Sequence, residues 1–265
     1  MVVYVYELLL KATTLIYSEH KPVFMQEKNT IDNNTLEKKK KSKGNVLVLC
    51  AHSDDQALGA GGTLAKLAAE GYDVYTFIFS YGETSHPHMK LSHVATVRVK
   101  ESKDADSILN GKGVCFLALK DTKIGKDFKE KKMSNKLKRI FLDYKPKKIF
   151  THALDDFHPD HRAVFDIVTS TYDSLHRKNN FTCEIYSFEV WNIWNLKKRS
   201  EPALVVDISK YFKQKIKAIH AFKSQISVFT WAYMNNFLYI AIYIKSAFQG
   251  LQYKTKFAEV FYKVR

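Results

Sequence analysis

Histidine and aspartate stand close together twice in this chain, as His52-Ser53-Asp54-Asp55 and as His158-Pro159-Asp160-His161. The first group directly follows the apolar run Val46-Leu47-Val48-Leu49-Cys50-Ala51, and the second comes shortly after Lys148-Ile149-Phe150-Thr151. Imidazoles and carboxylates are costly beside buried strands unless a ligand uses them. Brought together from two strand ends, His52, Asp55 and His161 make a two-histidine, one-carboxylate donor set, the hydrolytic zinc arrangement that leaves a position open for water. Asp54, the carboxylate left over beside a ligand, is then placed to accept a proton from that water. Taken singly, His-Ser-Asp-Asp is more often a loop or helix N-cap, since Ser and Asp favour such positions, and His-Pro-Asp-His divides evenly between capping and ligation. Their co-occurrence past two predicted strands favours one mononuclear metal site, in keeping with ligand binding outside the carboxyl ends of open α/β sheets.

The elements that must position these residues alternate in type. Strand-like runs are predicted at 46–51, 73–80, 113–119, 148–152, 183–190 and 203–208. Helical spacing fits 57–70, 93–109, 133–144, 161–176, 210–228 and 231–248, several of them stopped by Gly or Pro. Strands alternating with helices of this length predict an α/β, Rossmann-like fold, a mostly parallel sheet with helices on both faces. Residues 1–44 read as an N-terminal extension with a linker around Lys38-Lys39-Lys40-Lys41, and 45–265 as a single domain.

Composition narrows the function classes. The 265 residues are 46% hydrophobic and 26% charged, ordinary for a globular protein with a full core. No run approaches the ~18 uninterrupted apolar residues of a membrane span. The N-terminus lacks a basic region and a small-residue cleavage site, so no signal peptide is read and a cytoplasmic location is expected. The formal charge of +15 invites nucleic acid or an anionic membrane as partner, but only six of the 42 basic residues are arginine. Specific nucleic-acid recognition leans on Arg forks, so none is expected, while contact with a membrane surface stays open. Cys50, Cys115 and Cys183 form no Cys-x-x-Cys pair and read as reduced, buried thiols. Gly59-Ala60-Gly61-Gly62 imitates a dinucleotide fingerprint, but Leu64 stands where the third glycine belongs. These glycines read instead as allowing close helix–sheet packing. His86, His88 and His93 read as a substrate-lid loop in preference to a second metal site. Trp191-Asn192-Ile193-Trp194, with Tyr186 and Phe188, reads as a sugar platform or as core.

With these residues in hand, Ala51-His52-Ser53-Asp54-Asp55-Gln56 resembles the Ala-His-Pro-Asp-Asp-Glu opening of the LmbE/PIG-L deacetylases, and His158-Pro159-Asp160-His161 is their second signature intact. Arg98-Val99-Lys100-Glu101 and the Asp121 strand end look like further family features. So do Val205-Val206-Asp207-Ile208, Lys215, Lys223-Ser224-Gln225, Gly250 and Phe257-Ala258-Glu259-Val260-Phe261, and the likeness runs over roughly 45–262. The resemblance implies a zinc-dependent de-N-acetylase acting on an N-acetylglucosamine-type conjugate, with one zinc per chain held by His52, Asp55 and His161. It implies Asp54 as general base, His158 as the residue that stabilises the oxyanion and assists the leaving amine, and Asp160 as orienter of a histidine. Arg98 and Asp121 match substrate-binding positions, and assembly into homo-oligomers is a family habit. Two departures stand out. Ser53 replaces the usual Pro and is expected to loosen the loop. Gln56 replaces the usual Glu and removes a charge beside the metal loop, which raises the alternative of a non-catalytic or impaired metal- or sugar-binding member.

Overall fold

The computed structural model describes residues 42–86, 88–190, 203–226 and 231–265. The extension up to residue 41 and the Trp191-Asn192-Ile193-Trp194 cluster lie outside the described residues. The described chain runs β1 (Asn45–Cys50), α1 (Asp55–Ala69), β2 (Asp73–Ser80), α2 (Leu91–Ile108), β3 (Gly113–Leu119), α3 (Ile124–Glu130), α4 (Ser134–Tyr144), β4 (Lys148–His152) and α5 (Pro159–Asn179). It continues through β5 (Glu184–Phe188), β6 (Ala203–Asp207), α6 (Phe212–Ile219), α7 (Lys223–Ile226), α8 (Trp231–Gln252) and β7 (Ala258–Lys263). The strands form one seven-stranded sheet in the order β3-β2-β1-β4-β5-β7-β6. β1 to β5 pair in parallel, and β7 inserts antiparallel to both β5 and β6.

β1 shows why the site sits where it does. Its residues from Val46 on are fully buried, and their alternation splits them between two cores. Val46, Val48 and Cys50 pack with Leu58 and Leu64 of α1 and Ala218 of α6. Leu47 and Leu49 pack with Val164 and Val168 of α5 and Phe141 of α4. The order of strands reverses between β1 and β4, so the loops leaving these two strands diverge to opposite faces and open a crevice at their carboxyl ends. Both loops carry the His/Asp motifs.

Close approach explains the glycines of α1. A Cβ on Gly59 would lie 2.2 Å from the Phe188 ring, and one on Gly62 would lie 2.7 Å from Ile208. A buried ion pair also grips this helix. Glu259 of β7 accepts from the backbone N–H groups of Gly62 (3.0 Å) and Thr63 (2.7 Å). Lys215 of α6 donates to Glu259 (2.6 Å) and to the carbonyl of Leu58 (2.9 Å), the group one helical turn before Gly62. The far end of the chain thus clamps the helix whose first turn carries Asp55.

Three elements differ from expectation. α3 was not anticipated, because seven residues give too little periodicity to read. The helix expected over 210–228 breaks after Ile219, where Phe222 turns into the core and α7 restarts at Lys223. β7 was not read as a strand, because the buried Glu259 disguises its pattern. Among the described residues no helix is long and apolar enough to cross a membrane.

Candidate metal centre

Asp54 occupies the N-cap position of α1, yet its carboxylate makes no capping hydrogen bond. It accepts instead from the guanidinium of Arg98 on α2, at 3.2 Å. His158 is the contrasting case. It caps α5, and its Nδ1 accepts from the backbone N–H of Asp160 at 3.2 Å. Pro159, at the first helical position, suits the start of a helix that places His161 inward in its first turn.

The three expected ligands meet. His161 Nε2 lies 3.3 Å from His52 Nδ1 and 3.5 Å from Asp55 Oδ1, and His52 Nδ1 lies 3.6 Å from Asp55 Oδ2. Donors at ~2.0–2.2 Å from a tetrahedral zinc would stand ~3.3–3.6 Å apart; the two nitrogens have that spacing but approach different oxygens of Asp55. The outer nitrogens decide which atoms face the centre. His161 Nδ1 is 3.1 Å from Asp156 Oδ1, and His52 Nε2 is 3.2 Å from Asp121 Oδ1 and 3.5 Å from Asp160 Oδ2. Those carboxylates favour protons on the outer nitrogens and turn His52 Nδ1 and His161 Nε2 toward each other at hydrogen-bond distance. A divalent cation held there with Asp55 would take the place of the proton that the two nitrogens share.

Charge around the centre agrees. Asp55, Asp121, Asp156 and Asp160 are all buried, and Arg98 is the only buried arginine among the described residues. Burial disfavours charge on His52, but Asp121, Asp160 and Asp55 outweigh it and hold its pKa well above the ordinary value. Asp55 is likewise held well below the usual carboxylate range despite burial, by His161 and His152. Burial pushes His161 down to about 4, with His152 adding to the effect. His158 is lowered by burial and by the charge on His52.

Two neighbours of the centre escaped the sequence reading. His152 ends β4, stacks on His161 with ring centroids 3.8 Å apart, and lies 3.2 Å from Asp55 Oδ2. Its Nε2 accepts from the N–H of Ala51 at 2.9 Å, which ties the ends of β1 and β4 together and occupies that lone pair. Asp156 accepts from the N–H groups of His158 (3.0 Å) and Val190 (3.3 Å), so it braces the second loop while orienting His161. The signal for His152 was its position at the very end of a buried strand. Asp156 had only its place between strand and motif.

Arg98 and Asp121, expected at the substrate, are both engaged with protein groups. Arg98 is 3% exposed and also donates to Ser53 Oγ at 3.3 Å. Asp121 accepts from the hydroxyl and N–H of Thr84 (2.6 and 3.1 Å) and from the N–H of Thr122 (2.9 Å), besides facing His52. Ser53 does not loosen the loop. Its side chain donates to the carbonyl of Tyr81 at 3.2 Å, and its own carbonyl accepts from Ser102 at 3.2 Å. Gln56 is buried with neither amide atom partnered among the described residues. His86 is occupied as well, accepting from Ser85 Oγ and donating to the carbonyl of Ser224, both at 3.0 Å. Among the described residues, every cluster of three metal-binding side chains lies at the one centre.

Residues 47–172 match the family model described as PIG-L: GlcNAc-PI de-N-acetylase. That match covers just under half of the chain. A relative from Bacillus cereus, the probable N-acetyl-alpha-D-glucosaminyl L-malate deacetylase 2, is 26% identical over 191 residues, covering 68% of this chain and 83% of its own. In structure the chain is similar to the N,N'-diacetylchitobiose deacetylase of Pyrococcus horikoshii (TM-score 0.68, 22% identity, 83% of each chain). It is also similar to GalB, the 4-carboxy-2-hydroxymuconate hydratase of Pseudomonas putida KT2440 (TM-score 0.70, 22% identity, 84% of this chain and 96% of that one). A hydratase among such neighbours shows that this fold alone does not select a reaction.

Proposed function

We propose that this chain is a metal-dependent de-N-acetylase, with zinc at His52, Asp55 and His161 and an N-acetylglucosamine-type conjugate as substrate. The observation that carries the reading is the pair of inward nitrogens, His52 Nδ1 and His161 Nε2, 3.3 Å apart beside the Asp55 carboxylate, with Asp54 the preceding residue in the chain. The family description and the deacetylases among the relatives support the choice of reaction and sugar.

A zinc ion bound there supplies Lewis acidity toward an amide carbonyl and lowers the pKa of water beside it. The residues then divide the proton work. Asp54, oriented by Arg98, accepts a proton as water attacks the acetamide carbon. His158 Nδ1 is fixed as an acceptor by the Asp160 N–H, which leaves Nε2–H as the donor toward the developing oxyanion. The proton taken by Asp54 passes to the departing nitrogen as the C–N bond breaks, giving acetate and a free amine. Asp121 and Asp160 orient His52, and Asp156 orients His161. Arg98 and Asp121 thereby serve the substrate through Asp54 and His52.

The test is acetate release from N-acetylglucosamine conjugates by the zinc-loaded protein. Asp54→Ala is expected to lower kcat at least ~100-fold while leaving the bound metal in place. Turnover near that of the wild type would remove Asp54 from the mechanism.

A further inference from the structure

The outer face of α8 is the surface feature that the site chemistry leaves unexplained. From residue 240 onward its inner side buries Ala241, Ile242 and Ser246. Its outer side carries Ile240, Tyr243, Ile244, Phe248 and Leu251, between 45% and 78% exposed. Steps of three and four residues keep these five on one stripe. An outward helix face normally carries charge, but the single charged residue of α8, Lys245, pairs with Glu189 at 3.4 Å. Scattered exposed apolar residues are ordinary; a continuous stripe marks an interaction surface.

The surrounding charge selects the partner. Across 203–265 the chain carries ten Lys and Arg against two carboxylates. Of those two, Glu259 is buried against Lys215, and Asp207 accepts from Ser209. Lys210 and Lys213 stand exposed at the start of α6, whose Phe212 packs edge-on against Tyr243 of α8. Lys254 and Lys256 stand exposed in the turn that follows α8. We propose that the outer stripe of α8 docks on an anionic lipid bilayer, its apolar side chains entering the headgroup boundary and these lysines lying against the headgroups. A second copy docked through the same face would set its own lysines of this region against these. A nucleic acid could stack a base on Phe248 or Tyr243 but would leave Ile240, Ile244 and Leu251 in water.

This surface is joined to the catalytic edge of the sheet. Lys245 binds Glu189, and the next residue, Val190, donates to Asp156 behind His161. Leu154 and Phe157, on the loop between β4 and α5 that carries the second motif, are exposed as well. The proposal rests on the surface alone and stands whether or not the centre is a deacetylase.

The experiment is cosedimentation of the full chain with phosphatidylcholine vesicles, with and without phosphatidylserine. Binding is expected only to the phosphatidylserine vesicles and is expected to weaken as salt is raised. The double variant Phe248→Glu/Leu251→Glu is expected to weaken it at least ~10-fold. Lys254→Glu/Lys256→Glu is expected to weaken it by roughly fivefold per lysine, and both variants should melt as the wild type does. No binding to phosphatidylserine vesicles would overturn the proposal. So would binding that Phe248→Glu/Leu251→Glu leaves unchanged, since another part of the chain would then be responsible. A dimer in light scattering that this same variant dissolves would assign the stripe to a second copy and equally overturn it.

Discussion

Around the ends of β1 and β4 the protein buries polar groups, while along α8 it leaves large apolar ones in water. Both arrangements run against the usual partition, and both are informative for that reason. The buried side divides further. Lys215 and Glu259 satisfy each other and the backbone of α1 completely. The inner nitrogens of His52 and His161 have only each other and the Asp55 carboxylate to face, with a shared proton where a cation could sit. Polar burial that closes on itself holds a fold together, whereas polar burial that stays open inward awaits an ion.

The largest expected effect tests the closed kind. Lys215→Met would leave Glu259 buried without its counter-charge and should cost about 3–5 kcal/mol of stability in a denaturant titration. Added zinc should offset the loss no more than it stabilises the wild type. A loss below ~1 kcal/mol would show that the clamp on α1 contributes little.

This division also shows what could be read from sequence. The strand-end motifs were legible because each is local: a buried strand, then His and Asp within four residues, then a helix start. The fold class followed from the same alternation. Lys215 and Glu259 were noticed only as family-like residues, because their joint role depends on backbone groups of α1 some 150–200 positions away in the chain. His152 and Asp156 were invisible for a related reason. Each works through a partner that only the parallel pairing of β1 with β4, or the first turn of α5, brings near. Ser53 shows the opposite failure. Losing proline suggested a looser loop, but two tertiary hydrogen bonds hold it.

A smaller effect concerns a buried carboxylate that belongs to neither kind. Asp106, on α2 away from the centre, is pushed by burial from an ordinary 3.8 up to about 7, against hydrogen bonds from Gly113 and Thr76. Below pH ~4 it is protonated in both folded and unfolded chains and costs nothing. Between pH ~4 and ~7 the unfolded chain ionises first, so stability falls as pH rises, and the penalty is constant above that window. Asp106→Asn should therefore raise stability at pH 8 by up to about 2–4 kcal/mol and bring no gain at pH 4, measured by thermal melts across pH. An advantage independent of pH would show that the carboxyl charge is not what costs stability.

The open kind is sharpened by Asp121→Asn. Weakening the carboxylate that holds the outer nitrogen of His52 should lower zinc affinity by about 10–100-fold in chelator competition. The metal-free protein should lose stability as well, since Asp121 is a buried counter-charge of His52. Unchanged affinity would return Asp121 to a direct role at the substrate.

The central claim is that two inward histidine nitrogens and one carboxylate form a metal site, and elemental analysis tests it without any choice of substrate. Wild-type protein exposed to zinc and then dialysed should retain about one ion per chain, and His161→Ala should retain far less. Wild-type protein that retains none, or a His161→Ala variant that retains as much as the wild type, would contradict the account.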